Sequence, residues 1–131
     1  MGLESRIYIV EKHDGLLCPS NKKNWGEILS SMNLSKWCPI ADFFNKQPTT
    51  DCYLYADDGN TIILEDRYGK ELRECSVDDF YDFLMGVSSE NCYLDNDDRN
   101  YRRYLPLLKL IEGYKLCKER YGNIAVLHYG Y

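Results

Sequence analysis

The pattern of apolar and polar residues changes several times along the chain, and each change predicts a structural element. The β-branched and aromatic run at 6–10 predicts a strand. At 24–32, apolar residues spaced i, i+3, i+4 and i+7 follow a capping-box sequence, which predicts an amphipathic helix. Residues 35–45 predict a second, short helix with Ile40, Phe43 and Phe44 directed inward.

The middle of the chain predicts a hairpin. Residues 52–56 alternate, Asp58-Gly59 is a strong turn signal, and 61–64 predict the returning strand. A second turn at 68–70 is expected to lead to a short strand near Leu72. Ser76 begins a capping-box variant, so a helix should follow it. A longer apolar helix is expected after Arg99, and 124–127 predict a buried final strand.

Taken together, the elements predict an α+β fold with the order β-α-α-β-β-(β)-α-α-β. A length of 131 residues suits one domain, over residues 1–131. The expected sheet is small and mixed or antiparallel, with a central hairpin or meander over 51–74 and helices mainly on one face. The two terminal strands are the most apolar, so they should lie near the centre of the sheet.

Charge is distributed very unevenly. Residues 51–98 contain fourteen acidic and three basic side chains, a net charge of −11, whereas the rest of the chain carries +6. The overall charge of −5 is ordinary for a small domain. The segregation is therefore more informative than the total, because a face of one sign steers association with an oppositely charged partner.

Cysteine spacing and the N-terminal sequence indicate the compartment. The six cysteines include no CxxC pair, so neither a zinc knuckle nor a thioredoxin-type site is predicted. The first residues do not follow the layout of a signal peptide. We expect reduced, mostly buried thiols in a protein of the cytoplasm of a bacterial host cell.

Catalysis and direct nucleic-acid binding have weaker signals. His13 and His128 stand at separate strand ends without a third group at a diagnostic spacing, although either could meet a cysteine or an acidic cluster in space. Residues 95–98 are rich in oxygen ligands, but the twelve-residue loop they would open lacks the glycine and the final glutamate of an EF-hand. The bases after residue 98 could contact phosphate, which the sequence pI of about 5.0 opposes. We therefore expect no enzymatic activity, no cofactor and no bound metal.

The acidic segment is the predicted binding surface. Carboxylates on a hairpin, a helix start and a loop resemble the charge array of a nucleic-acid backbone, and interleaved tyrosines can supply apolar anchors. The expected charged contacts are Asp57, Asp58, Asp78, Asp79, Asp82, Asp95, Asp97 and Asp98. The expected aromatic contacts are Tyr53, Tyr55, Tyr81 and Tyr93.

Two stretches resemble known proteins. Residues 51–69 (DCYLYADDGNTIILEDRYG) and 127–131 (LHYGY) are similar to small acidic proteins of bacteriophages and mobile elements. The resemblance implies a context in which compact acidic proteins often inhibit host defence, as anti-CRISPR proteins do. It transfers no functional residue.

The sequence thus predicts a non-enzymatic phage or mobile-element protein whose 51–98 face blocks a basic, nucleic-acid-handling host-defence protein. One alternative is an immunity protein that neutralises a nuclease toxin through the same attraction between an acidic face and a basic surface. Another is a small enzyme that uses His13 or His128 with a cysteine or an acidic cluster.

Overall fold

The computed structural model describes residues 4–14, 24–34, 38–90, 99–121 and 123–131. It is an α+β domain, as the sequence predicts. The strands are β1 (Ser5–Asp14), β2 (Asn24–Leu34), β3 (Cys52–Tyr55), β4 (Ile62–Ile63), β5 (Arg73–Cys75) and β6 (Asn123–Gly130). The helices are α1 (Cys38–Asn45), α2 (Val77–Glu90) and α3 (Arg99–Cys117), the last followed by a 3-10 turn at Lys118–Arg120. None of the described helices is long and apolar enough to cross a membrane.

The strands form one mixed sheet in the order β4-β3-β2-β1-β6-β5. Neighbouring strands are antiparallel except β2 and β3, which are parallel. The terminal strands β1 and β6 are neighbours and both have a strand on each side. β1 is one of the two middle strands, as expected from its apolar sequence, whereas β6 lies one place further out, beside the end strand β5. The hairpin β3–β4 stands at one end of the strand order and β5 at the other, so 51–74 does not form a continuous central meander. The reason is that β5 pairs with β6 instead of continuing from β4.

The helix predicted at 24–32 is wrong, because this segment is strand β2. It pairs with β1 along its whole length, with a bulge where Ile9 pairs with Ser30 but Val10 pairs with Ile28. The extra residue, Leu29, shifts the two-residue alternation by one position. Apolar residues on either side of a bulge then fall at spacings of three and four, which imitates the periodicity of a helix.

The sheet curls until its two ends come together. The backbone N–H of Thr50 donates to the carbonyl of Leu72 at 2.9 Å, and that of Glu74 donates to the carbonyl of Pro48 at 3.0 Å. The segment just before β3 therefore pairs with β5, while β3 itself pairs with β2. This closure gives the sheet an inner and an outer face.

Each face has its own core. The outer core contains Ile7, Ile9 and Val126 of the sheet, and residues from all three helices pack against them. The helical members are Ile40, Phe44, Val77, Phe80, Leu84, Leu107 and Ile111. The inner core lies inside the curl and consists of Tyr8, Val10, Leu54, Leu72, Ala125 and Leu127. The helices thus pack on one face, as expected, and curling of the sheet buries the other.

The close packing of β2 against β3 can be tested by a substitution at Gly26. A Cβ at this position would stand 2.7 Å from Cδ2 of Leu54, a fully buried residue with little room to shift. We expect Gly26→Ala to lower the free energy of unfolding by about 1–3 kcal/mol because it overpacks the inner core. Denaturant unfolding measures the change.

Gly113 is the matched control for that substitution. It lies in α3, and no atom stands within 4 Å of the place that an added Cβ would occupy. Gly113→Ala should stabilise the protein by about 0.5–1 kcal/mol through helix propensity. Equal effects of the two substitutions would contradict the packing assigned to Gly26.

Candidate functional site

The predicted hairpin acids lie in the loop between β3 and β4. Asp57 and Asp58 are both exposed. The Asp58 carboxylate accepts hydrogen bonds from the Thr61 hydroxyl at 2.6 Å and from the N–H groups of Thr61 and Asn60 at 2.8 Å each. These bonds favour the ionised form and lower the pKa of Asp58. Asp58 therefore closes the turn and also keeps its negative charge at the surface.

A second acidic turn follows directly. The Asp66 carboxylate accepts hydrogen bonds from the N–H groups of Tyr68 and Lys70, at 2.8 and 3.1 Å. Glu65 and Glu71 pair across the base of this turn in an isolated antiparallel bridge. We call residues 56–71 the acidic arm; it contains five acids and two bases.

Several carboxylates of the 51–98 segment have no basic partner within the described residues. In the acidic arm, the carboxylates without a basic partner are those of Asp57, Glu65 and Glu71. In α2, the carboxylates of Asp79 and Asp82 also have no basic partner among the described residues. Glu65 and Glu71 are exposed and lie opposite each other, an arrangement that disfavours folding. Nothing among the described residues compensates their charge through an ion pair.

The acidic residues at the start of α2 take part in interactions that stabilise the fold. The Lys118 ammonium lies 2.8 Å from the Asp78 carboxylate and lowers the pKa of Asp78. The Asp79 N–H donates to Ser76 Oγ at 3.0 Å, which confirms the predicted cap. Lys118, one of the bases that follow residue 98, thus compensates the charge of Asp78.

The predicted tyrosine contacts differ in accessibility. Tyr53 is only 5% exposed, so it contributes to packing instead of presenting its ring to a partner. Tyr55 is 37% exposed and stands on the same hairpin as Asp57 and Asp58. Tyr81 is half-buried under the Lys115 ammonium, which lies 4.2 Å from its ring centroid. Asp95, Asp97, Asp98 and Tyr93 lie outside the described residues.

Sequence reasoning missed an ion cluster at the inner face. The Lys12 ammonium is 2.7 Å from Glu74 and 3.2 Å from Asp51, with 13% of its side chain exposed. Burial opposes the charge on Lys12, but its hydrogen bond and attraction to Glu74 outweigh this effect and raise its pKa. The cluster joins β1, β5 and the segment before β3, so it stabilises the closure of the sheet. Its members are far apart in sequence, and no local pattern brings them together.

The cysteines next to this cluster are not activated. Burial raises the pKa of the Cys52 thiol to about 11, which keeps it protonated at neutral pH. Burial also raises the pKa of Cys75. Cys52, Cys75 and the exposed Cys117 are free thiols, as the sequence predicts for the described part of the chain.

His128 belongs to the core. It is 8% exposed, its Nε2 is hydrogen-bonded to the buried Ser5 Oγ at 2.8 Å, and its ring stacks on Phe44 with centroids 5.1 Å apart. Burial lowers its pKa to about 4, so the ring is neutral in the folded protein near pH 7. Because Ser5 is fully buried, a substrate has no access to this serine and histidine pair.

His13 has a different setting on β1. Its Nε2 is 2.9 Å from an oxygen of Glu27 and 3.2 Å from an oxygen of Glu11. Trp25 packs against the imidazole with ring centroids 5.2 Å apart, and Tyr55 contacts Trp25 at 6.3 Å. Sequence reasoning paired His13 with a cysteine or an acidic cluster, and it did not identify the two glutamates.

Comparisons with protein-family models, curated proteins and solved structures give no match to this chain. The function must therefore be argued from the surface and the side-chain geometry.

The burial of His128 predicts a pH effect on stability. The unfolded chain binds a proton near pH 6.5 and the folded chain only near pH 4, so protonation favours unfolding between these values. The free energy of unfolding should fall by about 3 kcal/mol from this group as the pH drops from about 6.5 to 4. Denaturant unfolding at several pH values measures the loss.

His128→Gln is the variant for comparison. It lacks the titrating ring, so its stability should change less over the same pH interval, whatever its stability at pH 7. A parallel decline of the two proteins would show that His128 does not cause the pH dependence.

Proposed function

We propose that this protein is a non-enzymatic inhibitor from a phage or mobile element. It acts in the cytoplasm of a bacterial host, where it binds and blocks a basic, nucleic-acid-handling defence protein, in the manner of an anti-CRISPR protein. The observation that supports this proposal best is the acidic arm, which keeps carboxylates exposed and without basic partners among the described residues.

The arm has the electrostatic character of a nucleic-acid competitor. Glu65 and Glu71 lie opposite each other and repel in the free protein, and a lysine- or arginine-lined groove would relieve that repulsion. The Asp58 and Asp66 carboxylates accept hydrogen bonds from their own turns, which fixes them in position without neutralising them. Fixed negative charges raise the rate of encounter with a positively charged channel.

Exposed apolar side chains lie on the arm and directly beside it, and they can make contacts with a partner that charged groups cannot make. Tyr55 and Ile62 are cross-strand neighbours on β3 and β4, and they are 37% and 39% exposed. Tyr68, on the second turn, is 53% exposed. Aromatic and aliphatic anchors surrounded by charge are typical of interface hot spots. We therefore assign Tyr55, Ile62 and Tyr68 as anchors, with Asp57, Asp58, Glu65 and Glu71 around them.

The acids of α2 differ in how far the described residues compensate their charge. Asp79 and Asp82 are exposed and have no ion pair within the described residues, whereas Asp78 shares its charge with Lys118. Reversal of Asp57 or Glu71 should therefore weaken binding more than reversal of Asp78.

A charge-reversal pair tests the proposal. Asp57→Lys with Glu71→Lys changes the net charge by four units on the acidic arm. Asp42→Lys with Glu119→Lys makes the same change at exposed positions on α1 and on the 3-10 turn. Each immobilised protein is exposed to nuclease-treated host lysate at roughly 0.05 M and 0.5 M salt, which differ strongly in charge screening.

The wild type and the control should retain nucleic-acid-handling proteins at low salt, and added double-stranded DNA should displace them. The arm variant should retain at least about tenfold less, because the complementary potential is lost. If both variants lost binding equally, the effect would come from the total net charge and not from the acidic arm, which would contradict the proposal. Undiminished capture by the arm variant would also overturn it. A captured toxin nuclease in place of a defence protein would identify an immunity protein.

A further inference from the structure

We propose that Glu11, His13 and Glu27 form a binding site for a divalent transition-metal ion, with Zn²⁺ as the best match. One ligand atom from each residue can be chosen so that all three lie within 4.8 Å of one another. His13 Nε2 is 3.2 Å from Glu11 Oε1 and 2.9 Å from Glu27 Oε1. Ligand bonds of about 2.0–2.2 Å to a shared ion would separate neighbouring donors by about this distance.

The backbone holds the three residues in place. Glu11 lies opposite Glu27 across the antiparallel pair β1–β2, and His13 lies opposite Trp25. Residues opposite each other in such a pair point to the same face, and Glu11 and His13 are two positions apart on one strand. All three ligands therefore project from one face of two paired strands.

The bulge in β2 is required for this arrangement. Continuing the Ile9–Ser30 register without a bulge would place Glu27 opposite Lys12 and Glu11 opposite Ile28. The actual register instead moves Glu27 to the other face and places it beside Glu11. The fold thus gives up an oppositely charged pair across the strands and forms one of like charge, an arrangement that a cation stabilises.

The surroundings of the three ligands suit a transition metal. The Glu11 side chain is 18% exposed, and those of His13 and Glu27 are 38% and 47% exposed. The ion would be held against the sheet by three protein ligands with one side open to water. The Trp25 ring packs against the imidazole, with ring centroids 5.2 Å apart. One imidazole and two carboxylates favour Zn²⁺ over Ca²⁺ or Mg²⁺, which prefer oxygen ligands alone.

The cysteines require a probe that distinguishes sulfur from nitrogen and oxygen ligands. Co²⁺ bound by this site should give visible d–d bands without the near-ultraviolet charge-transfer bands of a cobalt thiolate. The chain contains two histidines, so NMR of labelled imidazole rings gives a second measurement. Mn²⁺ should broaden the His13 signals far more than those of His128, which lies opposite Ile7, six residues further along β1.

Zn²⁺ binding to the untagged protein is measured by calorimetry and thermal unfolding. We expect one ion to bind per chain. At a free Zn²⁺ concentration a hundredfold above Kd, the midpoint temperature of unfolding should rise by roughly 5–10 °C. Glu27→Gln, at the most exposed ligand, and His13→Asn should each weaken binding by at least about tenfold, since even loss of partners that orient ligands costs this much.

Glu65→Gln with Glu71→Gln is the matched control, because it also neutralises a pair of glutamates that face each other across strands. It should bind Zn²⁺ like the wild type. Absence of binding at millimolar Zn²⁺, or binding that survives both ligand substitutions and disappears when thiols are alkylated, would overturn the assignment. Binding lost equally in the control would also contradict it, since only bulk charge would then be measured.

Discussion

Strand β1 is hydrogen-bonded on both edges and buried on both faces, and the remaining elements are organised around it. It pairs with β2 on one side and β6 on the other. Ile7 and Ile9 enter the core beneath the helices, while Tyr8 and Val10 enter the core inside the curled sheet. Because apolar side chains project from both faces of this strand, β1 contributes to both cores. The closure between β5 and the segment before β3 then completes the inner core.

The far end of the same strand supplies the polar chemistry. Lys12 follows the alternation towards the inner face, where Glu74 and Asp51 surround its ammonium group. Glu11 and His13 project to the opposite face, where the bulge in β2 brings Glu27 beside them. One extra residue in β2 therefore separates a cluster that stabilises the fold from a cluster with the donor set of a metal site.

The acidic segment contributes to the fold, and part of its charge has no ion pair among the described residues. Asp58 and Asp66 close turns, the residues from Ser76 to Asp79 cap α2, and Asp78 pairs with Lys118. Glu65 and Glu71 have no comparable structural use, and their opposition across strands is unfavourable in the isolated protein. This difference separates carboxylates explained by folding from those that support a proposal of binding.

Elements with local signals were predictable from the order of residues alone. Side-chain caps and turns such as those at Ser76, Asp58-Gly59 and Tyr68-Gly69 depend on residues only a few positions apart. That β1 and β6 lie inside the sheet and not at its ends followed from their continuous apolar runs. The α+β class and the position of the helices on one face followed from these signals. The exposure of Asp57 and Asp58 was also predictable, because they occupy a hairpin turn.

Features that depend on strand pairing emerged only in the folded chain. Residues 24–34 imitate a helix in sequence, but pairing with β1 makes them a strand and inserts the bulge. The clusters around Lys12 and His13 join residues brought together by register, and a shift of one residue would separate them. Burial likewise made His128 a core residue, whereas the sequence showed two equivalent histidines at strand ends. Strand pairing and burial are determined by contacts between segments that are distant in sequence, so they cannot be predicted from a local pattern of residues.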